Sequence, residues 1–331
     1  MSKKVMVTGG AGFIGSHLVD LLLLEGYQVV VVDNLRGGHA ANLEQHVKNP
    51  NLQVATVDIL SADLVPDLFQ NVDIVFHLAG IGDIVPSIER PSDYMEVNIQ
   101  GTVRVLECAR HAKVKKLVYA ASSSCYGLAD VPTSENNPIN TLYPYALSKY
   151  LGEQVCLHWS RLYDLNVNVI RIFNAYGTRV RTTGAYGAVF GVFLRQKLEG
   201  KPLTVVGDGE QTRDFVYVTD VAKAFYLAGL THLKNRIYNV GASNPQSINY
   251  LVSLLGCDAV NLPDRPGEPR CTWANTDLIR NELGWHPIVN FEEGIDLMLQ
   301  DIHQWKDAPL WDAEKISHAT EPWFRYMSQK S

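Results

Sequence analysis

The opening stretch of the chain limits what it can fold into more than any other segment does. Val5-Met6-Val7-Thr8 runs without a break into Gly9-Gly10-Ala11-Gly12-Phe13-Ile14-Gly15-Ser16-His17-Leu18. A short β-branched run, glycines spaced GxxGxxG and a following apolar helical pattern describe a strand that turns tightly into a helix. Such a turn aims backbone N–H groups and the positive end of the helix dipole at one point, and its glycines remove the Cβ atoms that would block the approach. The arrangement suits a pyrophosphate, with Gly9, Gly12 and Gly15 as the expected cradle and Phe13 and Ile14 inside it.

A turn of this kind belongs in a parallel sheet, and the next 160 or so residues supply the strands. Runs at 5–8, 28–32, 52–57, 73–77, 116–121 and 166–172 are rich in Val and Ile, as strands buried on both faces require. Between them lie apolar residues at helical spacing, notably over 97–112 and 145–163. Strand then helix, repeated, predicts an α/β fold with a Rossmann-type doubly wound parallel sheet. The 331 residues leave room for two domains of about 150. After residue 173 the alternation breaks down, Gly and Pro become frequent, and Arg179, Arg181, Arg213, Arg265 and Arg270 stand singly in polar loops. The expected division is a dinucleotide-binding domain over 1–173 and a smaller mixed α/β domain over 174–331. The chain is expected to return to the first domain in places, and the second to close over the carboxyl edge of the sheet. The aromatic tail (Trp305, Trp311, Trp323, Phe324, Tyr326) reads as packing on its own chain, with a partner site as the alternative.

Charge and cysteine content exclude several classes. Lys and Arg number 29 against 35 Asp and Glu, a net charge of −6, so nothing draws the chain as a whole to nucleic acid or an anionic membrane. Any anionic ligand must be met locally. Five widely spaced cysteines without CxxC or a zinc-ligand pattern read as reduced thiols without a metal. Lys3-Lys4 followed by uncharged residues imitates a secretion signal, but glycines interrupt the run, and no later stretch reaches the ~18 apolar residues a membrane span needs. The expectation is a soluble cytoplasmic protein.

Asp33 ends the second strand, 18 residues after Gly15, where a carboxylate would take the hydroxyls of an adenosine ribose. A 2′-phosphate about 4 Å from that carboxylate would cost several kcal/mol at an effective dielectric of ~20, so the cofactor is expected to be NAD rather than NADP. Asn34 stands beside it, and Arg36 reads as solvated. Asp58 and Ile59, at the end of the next strand, are placed for the adenine amino group and ring; a plain turn is the alternative for Asp58.

Tyr145-Ala146-Leu147-Ser148-Lys149 is YxxxK, which on a helix puts phenol and ammonium on one face. A phenol with a pKa near 10 needs roughly 4 kcal/mol to act as a base near pH 7, about what a cation at ~4.5 Å supplies at an effective dielectric of ~20. Lys149 is the expected source, with an oxidised nicotinamide as a second charge. Ala121-Ser122-Ser123-Ser124-Cys125-Tyr126-Gly127, at the end of the preceding strand, brings a hydroxyl to the same edge. Cys125 reads as a small buried hydrophobe.

Together these motifs resemble the extended short-chain dehydrogenase/reductase family, in its nucleotide-sugar epimerase and dehydratase branch. The resemblance covers nearly the whole chain: 8–18, His77-Leu78-Ala79-Gly80, Asn98-x-x-Gly101-Thr102, 122–127, 145–149, 171–177, 207–222 and 265–270. It implies that Ser122, Tyr145 and Lys149 are catalytic and that Leu78 and Ala79 lie along the cofactor. Arg213 and Arg265 would hold a sugar-nucleotide diphosphate, Glu268 the nucleotide ribose, and Asn174 would belong to a substrate loop. Arg's planar fork suits phosphate oxygens. For Arg265 and Glu268 a structural turn is the rival reading. The resemblance also implies a homodimer, with the helices over 91–112 and 145–163 pairing with their copies in a four-helix bundle.

The two residues directly after Ser122 discriminate between reactions. Dehydratases and decarboxylases of this branch usually carry acidic side chains there, whereas this chain has Ser123 and Ser124. A redox cycle through a 4-keto sugar, 4-epimerisation, fits better; a dehydratase using another acid such as Asp83, and a catalytically idle NAD-binding regulator, are the alternatives. Arg265-Pro266-Gly267-Glu268 resembles UDP-sugar epimerases. In these the residue seven after that arginine lines the sugar pocket, and a Tyr there excludes an acetamido group. Here it is Thr272. With 122–127 and 184–189, which includes Ala188 and Val189, this resembles the enzymes acting on UDP-N-acetylglucosamine and UDP-N-acetylgalactosamine, and implies a part in polysaccharide biosynthesis. Two positions depart from the pattern: Thr183 stands where Asn is usual, and Asp83 where a neutral residue is. Asp83 reads either as a contact to a sugar hydroxyl or amino group, or as a solvated loop residue.

Overall fold

The computed structural model describes residues 3–180 and 189–328. Six strands lie within one residue of the runs read from the sequence: β1 (Lys4–Thr8), β2 (Gln28–Asp33), β3 (Leu52–Thr56), β4 (Ile74–His77), β5 (Lys116–Ser122) and β6 (Asn166–Ile172). A seventh, β7 (Arg236–Val240), joins them from the second half of the chain. The order across the sheet is β7-β6-β5-β4-β1-β2-β3, and every pairing is parallel. Strand order therefore reverses at β1, between β4 and β2, and opens a crevice at the carboxyl ends of β1 and β4, where ligands of such sheets bind.

Continuous apolar strands still sort their side chains two ways. Val5, Val7, Val29 and Val31 enter one core with α1 (Phe13–Leu24), while Met6, Val30, Val32 and Val75 enter the other. The second core is completed by α3 (Thr102–His111) and α4 (Pro144–Tyr163); the short α2 (Ile84–Glu89) precedes them at the carboxyl edge. On the first face α1 is joined by α5 (Val218–Leu230), whose Val221, Ala224, Phe225 and Ala228 are buried there. The chain after residue 173 thus returns to the sheet through α5 and β7, and again through Ile279 and Trp285, which are buried in the same core. Gly26 stops α1: at φ +79° its N–H donates to Leu23 O at 3.1 Å and that of Tyr27 to Leu22 O at 3.0 Å, the double bond of a Schellman turn.

The remaining chain builds an aromatic core beyond the carboxyl edge. Short strands Asn174–Tyr176 and Phe215–Tyr217 pair there, with Tyr176 stacked on Phe190 at 5.0 Å and Phe215 on Phe291 at 5.1 Å. The last helix, α6 (Ala313–Met327), closes this core with Ile316, Trp323 and Met327; of the aromatic tail Trp305, Trp311 and Trp323 pack on their own chain, while Tyr326 stays exposed. No helix among the described residues is long and apolar enough to cross a membrane, and all five cysteines are free.

One contact between the sheet and α4 is ionic. Glu153 (0% exposed) accepts two bonds from Arg171 (3% exposed), Nε at 2.9 Å and Nη2 at 2.6 Å. The remaining Arg171 nitrogen, Nη1, donates to the Tyr126 hydroxyl at 2.8 Å, which donates to Asn239 Oδ1 at 2.7 Å. Two charges this deep are tolerated only because each is fully met; removing one strands the other. Glu153→Ala is expected to lose about 3–5 kcal/mol of stability in urea unfolding; a loss within the ~1 kcal/mol of a surface pair would contradict this account.

Candidate active site

At the amino end of α1 the glycine turn is required by packing as well as by any ligand. A Cβ on Gly9, at φ +73°, would lie 2.7 Å from Ala79 N, and one on Gly15 would lie 2.1 Å from Gly9 O. The helix cap, Gly12, offers no side-chain acceptor, and the first turn holds no acidic residue. The first helical bond runs from Ser16 N–H to Gly12 O at 3.0 Å, so the N–H groups of Phe13 and Ile14 precede it without intrahelical partners. Asp33 is buried at the end of β2 and accepts from Ala11 N–H at 3.0 Å and Leu35 N–H at 2.8 Å, which ties the strand end to the turn. Asn34 donates to Asp58 at 2.8 Å and Arg36 lies 3.7 Å from it; Leu60 N–H donates to its other oxygen. Burial alone would raise the Asp58 pKa, but these three partners hold it below the usual value. Arg36, read as solvated, is thus exposed yet paired. Ile59 is buried alongside, and a Cβ on Gly101 would meet its Cδ1 at 2.5 Å. An uncapped helix start, a glycine turn without Cβ atoms and a carboxylate at the end of β2 fit a dinucleotide.

At the end of β4, His77 bridges Thr8 Oγ1 (2.7 Å) and Thr102 Oγ1 (2.9 Å). Burial, aided by the Lys149 charge, lowers its pKa to about 3, so it is a neutral strut that positions Leu78 and Ala79. Asn98 stands out in the sequence only as part of a motif, but its role here is structural. It sits in a π-helical turn, Glu96–Gly101, where its amide bonds both backbone groups of Ile81 and the Ser148 hydroxyl, which donates to Tyr145 O. It therefore joins the 78–84 segment to the helix turn that carries Tyr145 and Lys149.

Ser122 ends β5 and accepts from Ser124 N–H at 3.2 Å. Burial pushes the Tyr145 phenol above its usual value; the nearby Ser122 hydroxyl opposes the shift, and Asp83 and Cys125 add to it. Burial brings the Lys149 amine down to about 8, and its Nζ lies 4.7 Å from the centre of the Tyr119 ring. Within the chain alone, burial therefore dominates at both groups, keeping the phenol protonated and the amine easier to discharge. Cys125 is a buried thiol raised to about 12 by burial, in keeping with a small hydrophobe.

A cavity of about 420 Å³ lies between the carboxyl edge and the aromatic core. Asp83, Ser123, Ser124, Asn174, Val189, Arg213, Arg265, Glu268 and Thr272 all line it. Ser122 and Tyr145 are not among its lining residues, though their chain neighbours Ser123 and Tyr143 are. Ala188, with Thr183 and the rest of 181–187, lies outside the described residues. Glu268 bridges two guanidiniums, Arg265 at 3.0 Å and Arg213 at 3.5 Å, and Arg213 also donates to Thr212 O and Pro269 O at 2.9 Å. Burial lowers the Arg213 pKa against the pull of Glu268. Thr272 Oγ1 donates to Asn174 Oδ1 at 2.7 Å and accepts from Asp214 N–H at 3.1 Å. Among the described residues no cluster of His, Cys, Asp and Glu could hold a metal ion.

Comparison with known proteins agrees with this layout. The profile of the NAD dependent epimerase/dehydratase family matches residues 5–241. A UDP-glucose 4-epimerase of Mycolicibacterium smegmatis is 38% identical over 302 residues, covering 88% of this chain and 96% of the relative. A UDP-N-acetylglucosamine 4-epimerase from Methanobrevibacter ruminantium, solved with UDP-N-acetylmuramic acid, superposes with a TM-score of 0.85 at 30% identity over 91% of this chain and 99% of its own. A UDP-glucuronic acid 4-epimerase from Bacillus cereus, solved with UDP-glucuronic acid and NAD, superposes with a TM-score of 0.84 at 34% identity over the same shares.

Proposed function

The chain belongs to the NAD dependent epimerase/dehydratase family, and on that premise we propose that it is a UDP-sugar 4-epimerase interconverting UDP-N-acetylglucosamine and UDP-N-acetylgalactosamine. Its cofactor is NAD. The observation that carries the reaction type is the Ser122 hydroxyl close to the Tyr145 phenol, followed by two serines instead of carboxyl groups. Such a site can move a proton to and from a sugar hydroxyl but offers no acid there for expelling water.

When bound, NAD takes the hydride from carbon 4 and returns it, so the redox balance closes within a turnover. The chain's own residues do the rest. Gly9 to Gly15 with Phe13 and Ile14 cradle the pyrophosphate, Asp33 and Asn34 face the ribose, and Asp58, Ile59, Leu78 and Ala79 border the remainder. Tyr145 removes and restores the proton of the 4-hydroxyl, Ser122 holds that oxygen in reach, and Lys149 stabilises the deprotonated phenol. In the cavity Arg213 and Arg265 meet the diphosphate and Glu268 the nucleotide ribose. Asp83, Ser123, Ser124, Asn174 and Val189 border the sugar.

Thr272 supports the choice of sugar. It stands in the cavity wall, held by Asn174 and the Asp214 amide, where a tyrosine would fill the space an acetamido group needs. Assembly is read from α4, where Leu147 (37% exposed), Leu162 (60%) and Tyr163 (42%) face outward beside the half-buried Leu151, Val155 and Trp159. We read this face as the four-helix contact of a cytoplasmic homodimer.

Tyr145→Phe should keep NAD and lose about 10²–10⁴ in turnover on every UDP-sugar the wild type converts; turnover near that of the wild type would remove the residue from the mechanism. Thr272→Tyr should depress conversion of UDP-N-acetylglucosamine while leaving UDP-glucose as it was, the two sugars being assayed side by side. An equal effect on both would overturn the specificity. Light scattering should give twice the 36.8 kDa chain mass, and a single-chain mass at micromolar concentration would reject the dimer.

A further inference from the structure

Trp323 stands where three segments that face the cavity meet. It lies on α6, outside the 5–241 stretch that the family profile matches, is 2% exposed, and forms part of the cavity wall. Its ring centre lies 5.7 Å from that of Tyr143, two residues before Tyr145. Its indole N–H donates to Pro266 O at 2.8 Å. One turn later on α6, Met327 Cε would lie 2.9 Å from a Cβ on Gly267. The same helix packs against α2, whose amino-terminal cap residue is Asp83.

Pro266 and Gly267 are the residues between Arg265 and Glu268. Gly267 sits at φ +77°, Glu268 N–H reaches Arg265 O at 3.4 Å, and the two side chains pair at 3.0 Å. These ties join the two ends of the turn to each other; its middle, Pro266 and Gly267, is met from α6. The indole N–H supplies an anchor in the middle of it, from a helix whose own seat, Ile316 and Thr320, lies in the core. We propose that Trp323 is a positioning residue for the nucleotide-sugar: it fixes the 265–268 turn so that Arg265, Glu268 and, through Glu268, Arg213 meet the diphosphate and ribose together. This rests on the epimerase reading for the identity of the ligand.

The test is a calorimetric titration of the NAD-loaded protein with UDP, which reads the clamp without turnover or a choice of sugar. Trp323→Phe keeps a ring against Tyr143 and removes the N–H; UDP should bind about 5- to 10-fold more weakly, the usual worth of one hydrogen bond. Leu255→Ala is the control, since Leu255 is as buried as Trp323 and in the same core but lies on another helix and is not part of the cavity wall. It should lower the melting temperature yet leave the UDP constant within about twofold. Should Trp323→Phe not fold, Gly267→Ala, which presses the turn away from Met327, should weaken UDP in the same way. Wild-type affinity in whichever of these two folds, or an equal loss in Leu255→Ala, overturns the proposal and leaves the epimerase reading standing. Wild-type protein that holds NAD but does not bind UDP overturns both.

Discussion

The ion pair between Glu153 and Arg171 fixes the helix on which the chemistry depends. Tyr145, Lys149 and Glu153 succeed one another at helical spacing on α4, so holding Glu153 sets the rotation and height of the other two. Glu153 is about 12 Å along the helix from Tyr145, at 1.5 Å per residue. Arg171 reaches it from β6 and in the same stroke bonds Tyr126, just past the serines that end β5, and through Tyr126 the Asn239 amide of β7. The hydroxyl of Ser122 and the phenol of Tyr145 thus arrive from different elements braced by one network. An apolar pair would cost less to desolvate, but it would not carry the directional bonds that set α4 in register with the sheet.

The cavity repeats this logic at its other end. Two arginines side by side would repel each other in the unliganded protein; Glu268 between them offsets that repulsion and orients both forks toward one place. A ligand carrying two phosphates and a ribose finds donors and acceptor already arranged, so less ordering is left for binding to impose. Thr272 and Asn174, bonded to each other, set a polar boundary of fixed width nearby.

How much of this is legible in the sequence depends on how local each signal is. Strands β1 to β6 and the glycine turn are continuous apolar runs with punctuation, so they are visible, and Asp33 is visible because its distance from Gly15 is set by one βαβ unit. Strand β7 is not, because Arg236 and Asn239 interrupt its apolar pattern and their partners lie some 70 and 104 residues away in sequence. For the same reason Glu153 and Arg171 read as ordinary charged residues; a lone Glu on a helix says nothing of burial. Spacing shows that Tyr145 and Lys149 share a helix face but not how deeply either is buried, so the desolvation that pushes the phenol up in the chain alone has no signal in the sequence. Asn98 belongs to a recognisable motif, but the π-helical turn that aims it at Ile81 has no signature in composition.

The position of α6 bears on how the enzyme comes into being on the ribosome. Domains form as their residues emerge, amino end first. Once β7 at residue 240 is out, the seven strands, the glycine turn, Ser122, Tyr145 and Lys149 have all been made, and only Ile279 and Trp285 are still missing from the deepest part of the core behind them. The pocket for the sugar-nucleotide lacks a wall until residue 323 has been made. The residues that face the dinucleotide are therefore all made before the last wall of the sugar-nucleotide cavity, which makes the second site the one that depends on synthesis running to the far end of α6.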